Sequence, residues 1–262
     1  MYNWKCYLCR WWMGIKMKKA IALIPTRLES KRLPGKALLE VDGLPIVVHT
    51  AKRSQLAKNI NETFVCTDSE EIIQVCNNFD IQTIKTEKFF NNGTERIASI
   101  SERFGDSLIV DVQGDEPLIK PDFIDTIVES HLKSDFDPEI MISTIDVPYN
   151  SGDTIVKVIS STSKRVMMLS RANIPYRYKS EVSVISKHCS VISFTQEALI
   201  KFSKLPQSFL ESIEDVELLR AIENDMRVYS CPMDGNSFSV DVNDDYLKAK
   251  VAMQTDPTRK LY

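Results

Sequence analysis

"KKAIALIPTRLESKRLPGKAL", residues 18–38, joins an unbroken apolar run to a short loop that carries Arg27, Lys31, Arg32 and Lys36 around Pro34 and Gly35. A continuous apolar run closed by turn residues marks a strand buried on both faces, as in a parallel sheet. Four cations directly after such a strand have no use in a core. Converging cations over the backbone N–H groups of a tight turn make an anion nest suited to phosphate. The Walker pattern G-x-x-x-x-G-K-[ST] is absent, so a phosphate here is held by side chains over another kind of turn. Taken alone, the loop also fits the plain reading of cations kept for solubility.

The next segments alternate. "PIVVHTAKRSQLAK" (45–58) has helical spacing, and "ETFVCTD" (62–68) is a second strand. "SEEIIQVCNNF" (69–79) is a helix with Ser69 as N-cap and acidic residues in its first turn. "IQTIKT" (81–86) is a short third strand, "GTERIASISERF" (93–104) is helical, and "SLIVDVQGDEP" (107–117) is a strand with a polar C-terminal end. Strand–helix alternation predicts an α/β fold, a parallel sheet with helices on both faces. Ligands of such sheets sit beyond the carboxyl ends of the strands. The Arg27–Lys36 loop, Asp68 and Gln113–Glu116 all fall there.

After residue 140 or so the pattern turns β-rich, with "MISTIDV" (141–147), "TIVKVIS" (154–160), "CSVISF" (189–194) and "RVYSC" (227–231); "ESIEDVELLRAIEND" (211–225) reads as one helix. No linker rich in Gly, Ser or Pro divides the chain, so a single domain with a β-rich insertion is expected.

Composition narrows the function classes. With 33 basic and 36 acidic residues among 262, the net charge of −3 lacks the basic footprint of a nucleic-acid binder. Six cysteines in a chain of this size are not a disulfide framework, and Cys6–Cys9 has no second pair to complete a zinc site. The stretch "MYNWKCYLCRWWMGIK" (1–16) is too short and too charged to span a membrane and lacks a signal-peptide centre. Residues 1–16 read as a non-native or disordered extension, with Met17 as the start of a domain running to residue 262; a membrane-touching aromatic arm is the other reading. The expected location is the cytoplasm, with no membrane and no nucleic-acid partner.

In "VDVQGDEP" (110–117), Asp115 at a strand end suits Mg2+, a hard cation that takes carboxylate, water and phosphate oxygens; the plain reading is a solvated acidic turn. Asp241 in "FSVDVNDD" (238–245) is a second candidate ligand at the end of another apolar alternation, while Asp244 and Asp245 look like helix-start residues. A carboxylate-bound metal opposite a cationic loop describes a nucleoside triphosphate site. His49, His131 and His188 are unclustered, and no Ser-His-Asp arrangement is visible.

"IPTRLESKRLPGKAL", "NGTERIA", "VQGDEPLI", "VKVI" and "SRANIPY" stand in the order seen in 3-deoxy-manno-octulosonate (Kdo) cytidylyltransferases, and the chain resembles that family from Met17 to about residue 250. The resemblance implies a Rossmann-like nucleotidyltransferase fold, mostly parallel, with a β-rich dimerisation insertion and a homodimer. It implies Mg2+-dependent transfer of CMP from CTP to an acidic eight-carbon sugar, for lipopolysaccharide or a related surface polysaccharide. Carried over by motif, Arg27, Ser30, Arg32 and Lys36 hold the CTP phosphates, and Gly93, Thr94, Glu95 and Arg96 frame the nucleotide. Lys36, Arg27 and Asp115 are the catalytic set, and Asp115 and Asp241 bind magnesium. Gln113, His188, Glu214 and Glu217 face the sugar. Two departures stand out: Phe90-Asn91-Asn92 precedes Gly93 in place of the usual HxS, and Ile192 stands where a sugar-site tyrosine is expected. The other readings are a cytidylyltransferase for a different acidic sugar, such as a nonulosonic acid, and an inactive nucleotide-binding paralogue.

Overall fold

Residues 20–25 form the first strand, β1 (Ala20–Pro25), with every side chain buried. Ala20, Ala22 and Ile24 pack into one apolar layer, and Ile21 and Leu23 into another on the opposite face. That two-sided burial, about 1.5–3 kcal/mol for each large aliphatic side chain, is what the unbroken apolar run encodes. The computed structural model describes residues 18–30, 32–235 and 237–262. The readings placed on residues 1–16, Met17, the Cys6–Cys9 pair and Lys31 lie outside them.

Beside β1 run β4 (Glu62–Thr67) and β6 (Leu108–Val112), both parallel to it, and β5 (Thr83–Lys85) lies parallel to β4. A small hairpin, β2 (Glu40–Val41) with β3 (Leu44–Pro45), precedes helix α1 (Ile46–Gln55). The first apolar layer is covered by α1, by α2 (Glu70–Asn77) and by α4 (Pro121–Lys133). The second is covered by α3 (Gly93–Ser101), α5 (Gln196–Lys204) and α7 (Leu219–Glu223). Ser69 caps α2 as its sequence position predicts, its hydroxyl accepting from Ile72 N.

The later half continues this same sheet. Its hinge is β10 (Val184–Thr195), antiparallel to β6 on one side and to β7 (Ile140–Pro148) on the other, with β11 (Val228–Pro232) outside β7. The β-rich excursion is the pair β8 (Lys157–Ser160) and β9 (Val166–Ser170), attached through β8 to β10. The sheet is therefore parallel in its first half and mixed beyond β6.

Two local expectations are corrected. The single helix read over 211–225 is broken into α6 (Phe209–Glu214) and α7, because Asp215 adopts a left-handed conformation with φ 51°. The break turns Glu217 inward. Asp241 does not end a strand; it ends an extended strap, after which α8 (Asn243–Met253) begins with Asp244 and Asp245 in its first turn, as read.

Candidate active site

The cationic loop leaves β1 at Pro25 and returns through a one-turn 3-10 helix, Lys36–Leu38. Gly35 sits just before it at φ 65°, a backbone region that a side chain disfavours. That turn sends Lys36 back toward the sheet. Its Nζ donates to Asp115 Oδ2 at 2.5 Å, to Val240 O at 3.1 Å and to Asp241 Oδ1 at 3.2 Å. Arg32 donates to the same Asp241 oxygen at 2.8 Å. Arg27 is exposed and Ser30 half-buried in the same loop.

Asp115 reaches this cluster because the turn after β6 lies flat against the end of β1. A Cβ on Gly114 would collide with Thr26 Oγ1 and press on Pro25 O. Val240 N donates to Asp115 O at 2.9 Å, which fixes the strap beside the turn. Glu116 completes the junction. Fully buried, it accepts from the hydroxyls of Ser190, Ser237 (3.0 Å) and Ser239 (2.7 Å). A carboxylate so satisfied can stay buried without a cation beside it. It ties β6, β10 and the strap into one unit.

Two carboxylates thus converge on one cation from segments far apart in sequence. Among the described residues no group of three His, Cys, Asp or Glu side chains gathers around one point. A pair is the donor set that suits Mg2+, which keeps waters and takes phosphate oxygens for its remaining positions. The ammonium of Lys36 occupies the point between them.

A second cluster lies behind the first. Asp111, fully buried on β6, has Leu23 of β1 and Ile192 of β10 as its strand neighbours. Gln113 Nε2 donates to Asp111 Oδ1 at 3.0 Å, and Asp111 Oδ2 lies 3.4 Å from Thr94 Oγ1. Thr94 donates to Glu217 Oε1 at 2.7 Å, while Glu217 Oε2 is buried without a partner. Burial pushes the Glu217 carboxyl up to about 7. Burial also raises Asp111 well above the carboxylate range, with the Glu217 charge adding to it. A polar cavity of about 580 Å3 opens beside Glu217, Glu95, Asn92 and Gln207, a size suited to a small molecule.

Other expected residues are engaged elsewhere. Arg96 is buried, paired with Asp68 at 2.9 Å and donating to Thr86 Oγ1 at 2.5 Å. Glu95 accepts from Asn91 and from Arg220, and Arg220 also makes a two-pronged pair with Glu211. The backbone at Gly93 packs closely against Pro25 and the Gln113 side chain. Glu214 accepts from Ser170 Oγ and Arg171 N, a structural tie between α6 and β9. His188 lies at the start of an irregularity in β10, and burial holds its pKa down to about 4, so the ring is neutral.

The description "Cytidylyltransferase" belongs to the family model that matches residues 21–228. The chain belongs to the cytidylyltransferase family. It is similar to the 3-deoxy-manno-octulosonate cytidylyltransferase of a Nitratiruptor species, 33% identical over 86% of this chain and 96% of that protein. The enzyme of the same name from Chloroherpeton thalassium is 32% identical, over 90% and 98%. A solved structure of CMP:2-keto-3-deoxy-manno-octonic acid synthetase complexed with CTP superposes with a TM-score of 0.86 at 26% identity, covering 90% of this chain and 99% of that one. A Leptospira borgpetersenii cytidylyltransferase, 17% identical with a TM-score of 0.63, shares the fold.

This cytidylyltransferase also holds residues that motif reading passed over. Glu116 was legible only as one member of an acidic turn. So was Asp111, which the fold instead buries on β6. Arg171, within "SRANIPY", donates to the carbonyls of Glu214 (2.7 Å) and Asp215 (3.1 Å), and so pins the break that turns Glu217 inward. The signal was there, an arginine just after a strand, but its partners are backbone oxygens that no sequence pattern marks.

Proposed function

We propose that this cytidylyltransferase transfers CMP from CTP to Kdo, giving CMP-Kdo and pyrophosphate for a surface polysaccharide such as lipopolysaccharide. The observation that carries the reading is the meeting of Lys36, Asp115 and Asp241 beyond the carboxyl ends of the parallel strands, where such sheets take their ligands. Relatives of this name align over most of the chain. The anomeric hydroxyl of the sugar attacks the α-phosphorus and gives up its proton to solvent; the new O–P bond forms as the bond to pyrophosphate breaks.

Lys36, Arg27, Arg32 and Ser30 hold the triphosphate, and the cations neutralise charge that grows on its oxygens. Asp115 and Asp241 would hold Mg2+, which supplies Lewis-acid stabilisation of phosphate oxygens and lowers the pKa of a bound hydroxyl. The backbone around Gly93 frames the nucleotide. Gln113, His188 and Glu217 face the sugar, and the unpartnered oxygen of Glu217 accepts one of its hydroxyls. Glu214 supports that side through Ser170 and Arg171.

The enzyme works as a homodimer in the cytoplasm. Met167, Tyr176, Tyr178 and Val184, on β9 and the path into β10, are exposed apolar side chains that fit a subunit contact. The four described cysteines are free, which suits a reducing compartment. No helix among the described residues is long and apolar enough to cross a membrane. Incubation with CTP, Mg2+ and a panel of acidic sugars tests the reading: pyrophosphate release should be fastest with Kdo. Faster release with a nonulosonic acid would change the acceptor. No release with any sugar would remove the activity.

A further inference from the structure

A fully buried acid with few hydrogen bonds and no cation against it is costly in its charged form. Asp111 is such a group. Its two oxygens are divided between two neighbours that belong to different parts of the site: Gln113 at 3.0 Å and Thr94 at 3.4 Å. Thr94 has one hydroxyl proton and two acceptors in reach; with that proton on Glu217 Oε1 at 2.7 Å, Asp111 Oδ2 at 3.4 Å meets the Thr94 oxygen favourably when it carries a proton of its own. Burial favours the protonated form first, and the charges of Glu217 across Thr94 and of Asp115 four residues along add to it, while the hydrogen bonds from Thr94 and Gln113 oppose it.

We propose that Asp111 is a positioning residue that, as a neutral acid, aims Gln113 and, through Thr94, Glu217 at the sugar. Its acceptor oxygen takes one Gln113 N–H, which leaves the Gln113 carbonyl oxygen directed away from Asp111. Its donor oxygen holds Thr94, whose hydroxyl then fixes Glu217 Oε1 and leaves Oε2 for a ligand hydroxyl. One buried carboxyl on β6 thereby aligns groups from β6, α3 and the α6–α7 break. The inference rests on the assignment of Gln113 and Glu217 to the sugar.

Four variants test it by the KM values for Kdo and CTP. Asp111→Asn presents the same acceptor and a donor in the same shape, so both values should stay within about threefold of the parent. Asp111→Leu removes both contacts and should raise the KM for Kdo by roughly tenfold, the scale of one misplaced hydrogen bond, with the KM for CTP unchanged. Thr94→Val, which keeps the buried shape, should raise the KM for Kdo in the same way and serves if Asp111→Leu fails to fold. Gln113→Ala should raise it as well. An unchanged KM for Kdo in Gln113→Ala would overturn the sugar assignment and this inference with it. If Gln113→Ala behaves as expected, then Asp111→Asn losing as much as Asp111→Leu, or an unchanged KM for Kdo in Asp111→Leu or in Thr94→Val, overturns the inference alone.

Discussion

Lys36 and Asp115 stand 79 positions apart in sequence, and the fold brings the ammonium of one to 2.5 Å from the carboxylate of the other. Asp241 approaches the same ammonium from a strap more than 200 positions beyond Lys36. The pairing holds Lys36 at the end of the sheet where phosphate would arrive; with Mg2+ on the same two carboxylates, its ammonium would turn to the phosphate oxygens, where it acts on developing charge.

Lys36→Ala should therefore lower turnover with CTP by roughly two to three powers of ten, the loss that follows removal of one transition-state electrostatic contact. Thermal unfolding should move little, because Lys36 packs at the edge of the core. Pyrophosphate release under saturating substrates reads the first effect, and near-parental turnover would remove Lys36 from the phosphate site.

Glu116 should matter to both stability and metal response. Glu116→Ala strands the hydroxyls of Ser190, Ser237 and Ser239 and should cost about 2–3 kcal/mol, the scale of buried polar groups left unpaired. Loosening the strap that carries Asp241 should also raise the Mg2+ concentration for half-maximal rate. Urea unfolding and a Mg2+ titration measure the two; a folded variant with parental magnesium dependence would detach Glu116 from the metal side.

Two opposite slopes in stability against pH are expected. The folded pKa of Glu217 lies near 7, above its ordinary 4.5, so the native state binds the extra proton and the stability this gives, fully present below 4.5, is lost as pH rises from 4.5 to 7. Glu217→Gln should remove that fall, which spans about pH 4.5 to 7. His49, His131 and His188 are held near 4, below their ordinary 6.5, so the stability they allow is present above 6.5 and is lost as pH falls toward 4. Both act between about pH 4 and 7 and oppose each other there, so urea midpoints across that window should rise more steeply with pH in Glu217→Gln than in the parent; an identical profile would remove Glu217 from it.

Self-association should depend on β9 and the path into β10. Sedimentation equilibrium should give a dimer for the parent and a monomer for a variant combining Met167→Asp with Tyr178→Asp, since two buried charges oppose an apolar contact. A parent that sediments as a monomer would contradict the dimer.

The parallel half of the fold was legible because its strands are buried on both faces and so spell out unbroken apolar runs, as in residues 20–25. The site loops were legible for a related reason: they follow those strands at the end where ligands bind. The α6–α7 break was not, since Asp215 takes φ 51° in a segment whose composition favours helix, and tertiary contacts from Arg171 decide it. Nor could the sequence separate Glu95 and Arg96, spent on internal pairs, from Thr94, whose hydroxyl reaches Glu217. Those distinctions depend on which side of α3 each residue faces once it packs against β6.

The account rests most heavily on Asp115 and Asp241 acting together on one magnesium ion. The direct test is pyrophosphate release across a Mg2+ titration for Asp115→Asn, Asp241→Asn and the double variant, each keeping the shape and removing the charge. Each single change should weaken the magnesium response and collapse the rate, and the double should lose much less than the product of the two, because groups acting as one unit are not additive. Multiplicative losses, or the parental magnesium dependence in either single variant, would contradict a shared metal.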